Sequence, residues 1–415
     1  MNDRTRMSYF LTRPTKQGGK KMKRIFTSLV VCFLTVFLTV SNAGALSYDT
    51  KKIDNAYEKI VEYYKTHKVL ESPDEMIAVE ALGLEIESGY QLPDLETLDF
   101  ETLTIGDLTK SMIALTLMGK DIENIQGKNL VKILESYVNN DGTVKNSLGH
   151  GDMIWVLFAL ETISSDKVIT VADQLVKTNV NGGYGYVYDG VTYASPDTTG
   201  WAIEALTVAD KDRYVNNIQA AKDYLATKTD GNAGYRFDEY SQANGDTQSC
   251  VLEGLFATDT KGIVNGDYDD GNINPIDVLL SYQLEDGSFK AEVYDGWTPT
   301  GEYAFNAYTT MEAARCLGTY KNGSFVYKAK EAYILIHTKE TDDKETEKPV
   351  QDNDKPTDKK EESKNEIKTP KKESDSRQTK IVKTSDHYDV VNVFLLLIIS
   401  GGVFVGAKRR NEEVC

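Results

Sequence analysis

The sequence predicts an all-α domain built from paired helices. Three observations carry that prediction. Apolar residues recur at helical spacing from about residue 50 to 338, strand-like alternation dominates nowhere in that region, and Gly-rich turns followed by polar-opened helices keep returning.

The elements follow in order. A first helix spans about 53–66. Met76, Ile77, Val79, Leu82 and Leu84 form the next apolar stripe, and Leu108, Met112, Ile113, Leu115 and Leu117 another. Further stripes are Leu130–Leu134–Tyr137, Ile154–Leu157–Leu160, Val171–Leu175, Trp201–Ile203–Leu206, Ile218–Ala221–Leu225, Val251–Leu252–Leu255, Ile276–Leu279–Leu280 and Met311–Ala314–Leu317. With a last helix at 325–337 the total is about twelve.

The helices come in pairs, each joined by a turn such as Asn140-Asp141-Gly142, Asn181-Gly182-Gly183, Asp230-Gly231-Asn232 or Glu285-Asp286-Gly287. The second helix of each pair opens at Asp152, Asp197, Asp246 and Asn306, which lie 45, 49 and 60 residues apart. Asp or Asn at such points predicts N-caps. Helix pairs at this period form an array or a closed ring.

The turns Gly182-Gly183-Tyr184 and Asp286-Gly287-Ser288-Phe289, with Asp197-Thr198-Thr199-Gly200-Trp201-Ala202, resemble prenyltransferase/squalene-cyclase repeats. The resemblance covers about residues 70–320 and implies an α/α toroid of about six helix pairs, one ring inside the other. Ile113–Asp121, Trp155–Glu161 and Asn274–Gln283 look closest to Gram-positive surface proteins with a toroid like that of cobalamin carriers. That likeness implies a corrinoid ligand. Cobalamin carriers close their ligand under a following β domain, whereas here the toroid runs straight into a linker.

The flanks predict export. Met22, Lys23 and Arg24 precede an apolar run from Ile25 to Val40 and then Ala43-Gly44-Ala45, the order of a secretory signal peptide. The expected signal is residues 1–45, with 22–45 as its working part, and the toroid domain is 46–338. Residues 339–388 are Lys, Glu, Asp, Thr and Ser with few apolar groups, a composition that predicts a disordered charged linker. Residues 389–407 form the expected transmembrane helix, and Lys408-Arg409-Arg410 open a cytoplasmic tail, 408–415. Val382–Asp386 before that helix resembles a wall-sorting signal, which implies sortase processing. Ser385 stands where those signals have glycine, and a plain membrane anchor needs no motif.

Charge agrees with an outside location. The whole chain has 47 Lys/Arg and 64 Asp/Glu; residues 1–45 hold 8 and 1 of these, which leaves 39 and 63, a net of −24. Such a field excludes nucleic acid as a partner. Cys250 and Cys316 are the only cysteines of the outer domain and sit on apolar helix faces, where free buried thiols are the commoner state.

Candidate site residues gather at one expected mouth of the toroid, where inner helices begin. They are Trp155, Tyr184, Tyr186, Tyr188, Tyr193, Trp201, Tyr235, Tyr240, Trp297, Tyr303 and Tyr308, with Asp152, Asp197, Asp246 and Gln248. Aromatic walls with few polar groups suit a flat or amphipathic organic ligand, such as a corrinoid or a sugar. The plainer alternative is that the rings pack turns and each Asp caps a helix. Asp267, Asp269 and Asp270 match the Asp-x-Asp-Asp acid of squalene–hopene-type cyclases. The same stretch through Asp277 resembles a Ca²⁺ loop one residue short of the twelve-residue register. A solvated acidic loop fits it as well. With only His67, His150 and His337 outside the ends, zinc catalysis of the prenyltransferase kind is not expected.

The leading expectation is therefore a surface-tethered binding protein for a small ligand. The alternatives are an adhesion or scaffold surface protein with an extracellular protein partner, and a terpene-cyclase-like or glycan-active enzyme.

Overall fold

The computed structural model describes residues 47–346 apart from 87–88, 239 and 296–297. The expected signal, most of the linker and the expected membrane helix lie outside the described residues, and so does Trp297. No helix among the described residues is long and apolar enough to cross a membrane.

Twelve helices and two hairpins are described: α1 Lys51–Thr66, α2 Pro73–Ala81, α3 Ile105–Leu117, α4 Leu130–Tyr137, α5 His150–Thr162, α6 Val168–Lys177, β1 Tyr184–Tyr188, β2 Val191–Ser195, α7 Pro196–Asp210, α8 Val215–Ala226, α9 Gly245–Asn265, α10 Pro275–Leu280, β3 Lys290–Asp295, β4 Thr298–Phe305, α11 Ala307–Asn322 and α12 Phe325–Thr346. Packing closes them into a ring. α2 lies on α3, α3 on α5, α5 on α7, α7 on α9, α9 on α11, and α11 returns to α2. Those six form the inner wall. Around them α4 lies on α3, α6 on α5 and α7, α8 on α7, α10 on α9, and α1 on α11.

The inner helices are buried on nearly every side, as helices with apolar residues all round must be. In α5 the run from Met153 to Leu160 is entirely buried. Close approach needs small residues. A Cβ on Gly254 of α9 would stand 2.0 Å from the carbonyl oxygen of Gly200 in α7, and one on Gly318 of α11 would stand 2.7 Å from that of Ala81 in α2. The second contact closes the ring.

Two departures from the predicted six pairs have local causes. Between α2 and α3 the described residues of 82–104 form no helix, and Ile86, Leu95 and Phe100 are buried there instead. The last helix has no paired partner either. α12 packs on α2, α3, α5 and α11 and so crosses the end of the barrel where inner helices finish. Its Lys328 meets Glu80 in the last turn of α2, and Lys330 bonds Glu161 in the last turn of α5 at 2.6 Å. It also runs to Thr346, eight residues past the expected boundary at 338, through residues with no Pro or Gly to stop it.

The opposite end is the mouth. The hairpins β1–β2 and β3–β4 lead directly into α7 and α11. Both replace predicted turns. Their strands hold Tyr184, Tyr186, Tyr188 and Tyr193 in one and Tyr294, Tyr303 and Phe305 in the other, aromatics that favour extended backbone.

Candidate functional site

The caps decide where the acids go. Asn306 caps α11 as predicted, accepting from Thr309 N at 2.9 Å. The predicted caps Asp197 and Asp246 are displaced by earlier residues with extended backbone. Ser195 accepts from Thr198 N at 3.3 Å and Asn244 from Thr247 N at 2.8 Å. Asp152 also lies inside its helix, where it accepts from Leu148 N at 2.6 Å. Asp197 and Asp246 are thereby moved into the first turn of α7 and α9, as the second helical residue of each.

From there the helical period sets the rest. Residues two, six and nine of an inner helix lie on one face. In α7 they are Asp197, Trp201 and Glu204; in α9 Asp246, Cys250 and Glu253; in α11 Tyr308, Glu312 and Arg315. The other inner helices contribute Asp74 of α2, Lys110 of α3, and Trp155 and Phe158 of α5 at the same positions. These residues touch across the ring. Lys110 bonds Asp74 at 2.8 Å and lies 4.9 Å from the Trp155 ring. The Trp155 and Trp201 rings are 6.5 Å apart, and the Arg315 guanidinium lies 5.5 and 5.6 Å from them. Arg315 Nε donates to Glu253 at 2.7 Å and a second nitrogen donates to Glu312, whose carboxylate accepts from Cys250 Sγ at 3.4 Å. Contacts joining all six inner helices can meet only at the ring's axis, so the cluster lies on that axis.

Its upper tier reaches solvent. Tyr308 keeps 44 % of its surface exposed. Asp197 and Asp246 are half-buried. The lower tier is dry: Glu204 and Glu253 are 0 % exposed, Glu312 and Arg315 1 %.

Burial governs the charges. It pushes the Asp197 carboxyl up to about 7, with Asp246 adding to the rise, and pushes Asp246 up to about 6. Glu253 rises to about 7 by burial against the pull of Arg315. Glu204 stands well above the carboxylate range from burial and the charge of Glu253. Burial alone would lower Arg315, but Glu253 and Glu312 more than offset it. Both thiols are free, and burial raises them, so neither is a ready nucleophile at neutral pH.

Several polar atoms here have no partner among the described residues: Asp197 Oδ1, Asp246 Oδ1, Trp201 Nε1, both oxygens of Glu204, Glu253 Oε2 and Arg315 Nη1. Thr247 acts on Asp197, Thr309 on Asp246, Ser324 and Glu253 on Glu204, and Trp201 on Glu253, but none completes a bond of ordinary geometry. An unmade bond at a buried group costs about 1–3 kcal/mol.

Other predicted site residues are structural. Gln248 is fully buried and pins two turns, accepting from Tyr235 N at 3.0 Å and donating to the Pro275 carbonyl at 2.8 Å. Thr199 and Thr310 do the same one repeat either side, taking the amides of Tyr184 and Phe289 at 2.9 Å. Tyr184 and Tyr235 are therefore buried under their turns and do not face the mouth. Tyr186 stacks on Tyr193 at 5.2 Å within its hairpin. Tyr303 lines an open groove of about 700 Å³ on the rim, with Asp230, Arg236 and Tyr282.

The acidic loop does not gather into a cation site. Asp277 accepts from Tyr48 and Lys52, both at 2.9 Å, while Asp269 accepts from Asn274 at 2.8 Å and Asp270 pairs with Ile273 through the backbone. No three His, Cys, Asp or Glu among the described residues converge to hold a metal ion. Asp267, Asp269 and Asp270 thus lie in the turn between α9 and α10, and Asp277 in the first turn of α10, so the cyclase-type acid does not sit among the inner-helix cluster.

Sequence reading found Trp155, Trp201, Asp197, Asp246 and Tyr308 but missed Asp74, Lys110, Glu204, Glu253, Glu312 and Arg315. Aligning the repeats at their second, sixth and ninth helical positions would have exposed them.

No protein-family model matches the chain, and no curated protein matches it in sequence. Among solved structures it is similar to an ent-copalyl diphosphate synthase from Streptomyces platensis at 16 % identity and a TM-score of 0.42, covering 61 % of this chain and 50 % of that one. The chain thus spans half that protein's length. A glycosyl hydrolase of family 88 from Bacteroides vulgatus is similar at 10 % identity and a TM-score of 0.44, covering 68 % and 99 %. A protein from Actinoplanes is similar at 12 % identity and a TM-score of 0.43, covering 68 % and 99 %. At these scores the likeness is loose, and the architecture rests on the ring itself: a mostly helical α/α toroid.

Proposed function

We propose that the chain is a small-molecule-binding protein of the outer cell surface whose ligand sits in the lumen of the ring, below the hairpin-bearing mouth. One observation carries the reading. Six inner helices bring two indoles, a phenol and a surplus of carboxylates to one axis, and seven buried polar atoms there complete no protein bond of ordinary geometry. Unmet buried groups are rare in folded proteins, and a ligand that completes them is the economical explanation. The signal-like order of residues 1–45 and the apolar run 389–407 support a place on the outer surface.

A second reading has its own support. Asp197 and Asp246, held near 7 and 6 on neighbouring helices, are poised to exchange a proton at neutral pH, which suits an acid–base enzyme of the cyclase-like or glycan-active kind.

Trp155 and Trp201 make the lumen observable. Intrinsic fluorescence of the full chain in mild detergent, titrated with a corrinoid, a neutral oligosaccharide and a small amine, should change with at least one of them. The change should be lost in Trp201→Phe. A flat response to every probe would remove the lumen as the site. A turnover product from any bound probe would favour the enzyme.

A further inference from the structure

Resting on that lumen reading, we infer that the ligand is an organic cation whose ammonium group docks between Asp197 and Asp246. The inference comes from matching charges along the axis. Lys110 is taken by Asp74, and Arg315 by Glu253 and Glu312. Asp197 and Asp246 are left over. The groups acting most strongly on Asp197 are Thr247, Asp246 and Glu312; it also faces Tyr224 and Cys250. Asp246 faces Thr309, Glu312, Tyr282, Tyr294 and Tyr308. None of these is a cation. Beneath the pair, Glu204 is 0 % exposed and neither of its oxygens completes a bond of ordinary geometry, with Ser324, Glu253 and Arg315 acting on it from below.

An anionic or neutral ligand would leave that surplus uncorrected. A bare metal ion would need three ligands converging, which the described residues do not offer. An alkylammonium fits both features present, carboxylates for its charge and the Tyr308 and Trp201 rings for its carbon skeleton.

The probes are choline and butylammonium, each set against a neutral isostere, 3,3-dimethyl-1-butanol and 1-butanol. Titrations follow tryptophan fluorescence of the full chain in non-ionic detergent. At pH 8 at least one cation should bind on the order of tenfold or more tighter than its isostere. Affinity should fall as pH drops through about 7 and 6, where the two carboxyls take up protons. Neither probe changes charge over that range, so the slope belongs to the protein. The double variant Asp197→Asn/Asp246→Asn should erase the preference, with near-ultraviolet circular dichroism confirming its fold.

Equal binding of the isosteres, or a flat pH profile in the unaltered protein, would overturn the cation. Binding of only a neutral oligosaccharide would overturn it too while leaving the lumen as the site. Silence from every charged and neutral probe would remove both readings.

Discussion

The two halves of the barrel wall differ in chemistry though they share one geometry. α7, α9 and α11 present Asp197, Trp201, Glu204, Asp246, Cys250, Glu253, Tyr308, Glu312 and Arg315 to the axis. At the same positions α2, α3 and α5 present mainly Ala78, Ala81, Gly106, Ile113, Gly151 and Phe158, with Asp74, Lys110 and Trp155 as exceptions. The polar half lies under the two hairpins, and the other rests largely on α12. One repeat can thus serve as scaffold or as site, depending on three positions per helix. Apolar groups on those positions add roughly 1.5–3 kcal/mol per large side chain. Charged groups there cost stability unless paired.

Three experiments test that division, in falling order of effect. Arg315→Met strands Glu253 and Glu312 in a dry interior. Thermal and urea unfolding at pH 7 should show a loss of about 3–5 kcal/mol, typical for breaking a buried ion pair from one side. A loss below about 1 kcal/mol would mean the cluster is wet.

Asp246→Asn should stabilise. The folded pKa, near 6, lies above the ordinary 3.8, so the folded protein holds its proton more tightly than the unfolded chain, and stability falls as pH rises from about 4 to 6. The variant should gain about 1–2 kcal/mol at pH 8, allowing for the carboxyl's partial exposure, and nothing below pH 4. An equal gain at both pH values would refute the electrostatic cause.

Lys110→Met belongs to the plainer half. Its partner Asp74 keeps some exposure, so about 1 kcal/mol should be lost, and less in high salt. A loss as large as that for Arg315 would erase the contrast between the halves.

Much of the ring was legible beforehand. The periodicity gave the helices because inner helices bury apolar groups all round, and about twelve were counted. The sixth pair was not legible. The described residues of 82–104 bury Ile86, Leu95 and Phe100 without helical order, and spacing alone cannot distinguish that from an outer helix. The hairpins were missed because strands of five residues give little alternation. The site was half legible. Aromatic residues near Gly-rich turns drew attention to the mouth, yet Tyr184, Tyr235 and Gln248 proved to hold turns. Glu204, Glu253, Glu312 and Arg315 escaped because charged residues within apolar stretches read as solvent-facing until the ring turns that face inward. Ser195 and Asn244 outcompeted Asp197 and Asp246 as caps, a contest that local preference leaves undecided.

The course of α12 has a consequence for orientation. It crosses beneath the barrel and carries the chain away from that end. The hairpin-bearing rim is thus clear of the chain's exit, and the residues after α12 need not thread past Tyr186, Tyr193 or Tyr303 to leave the domain.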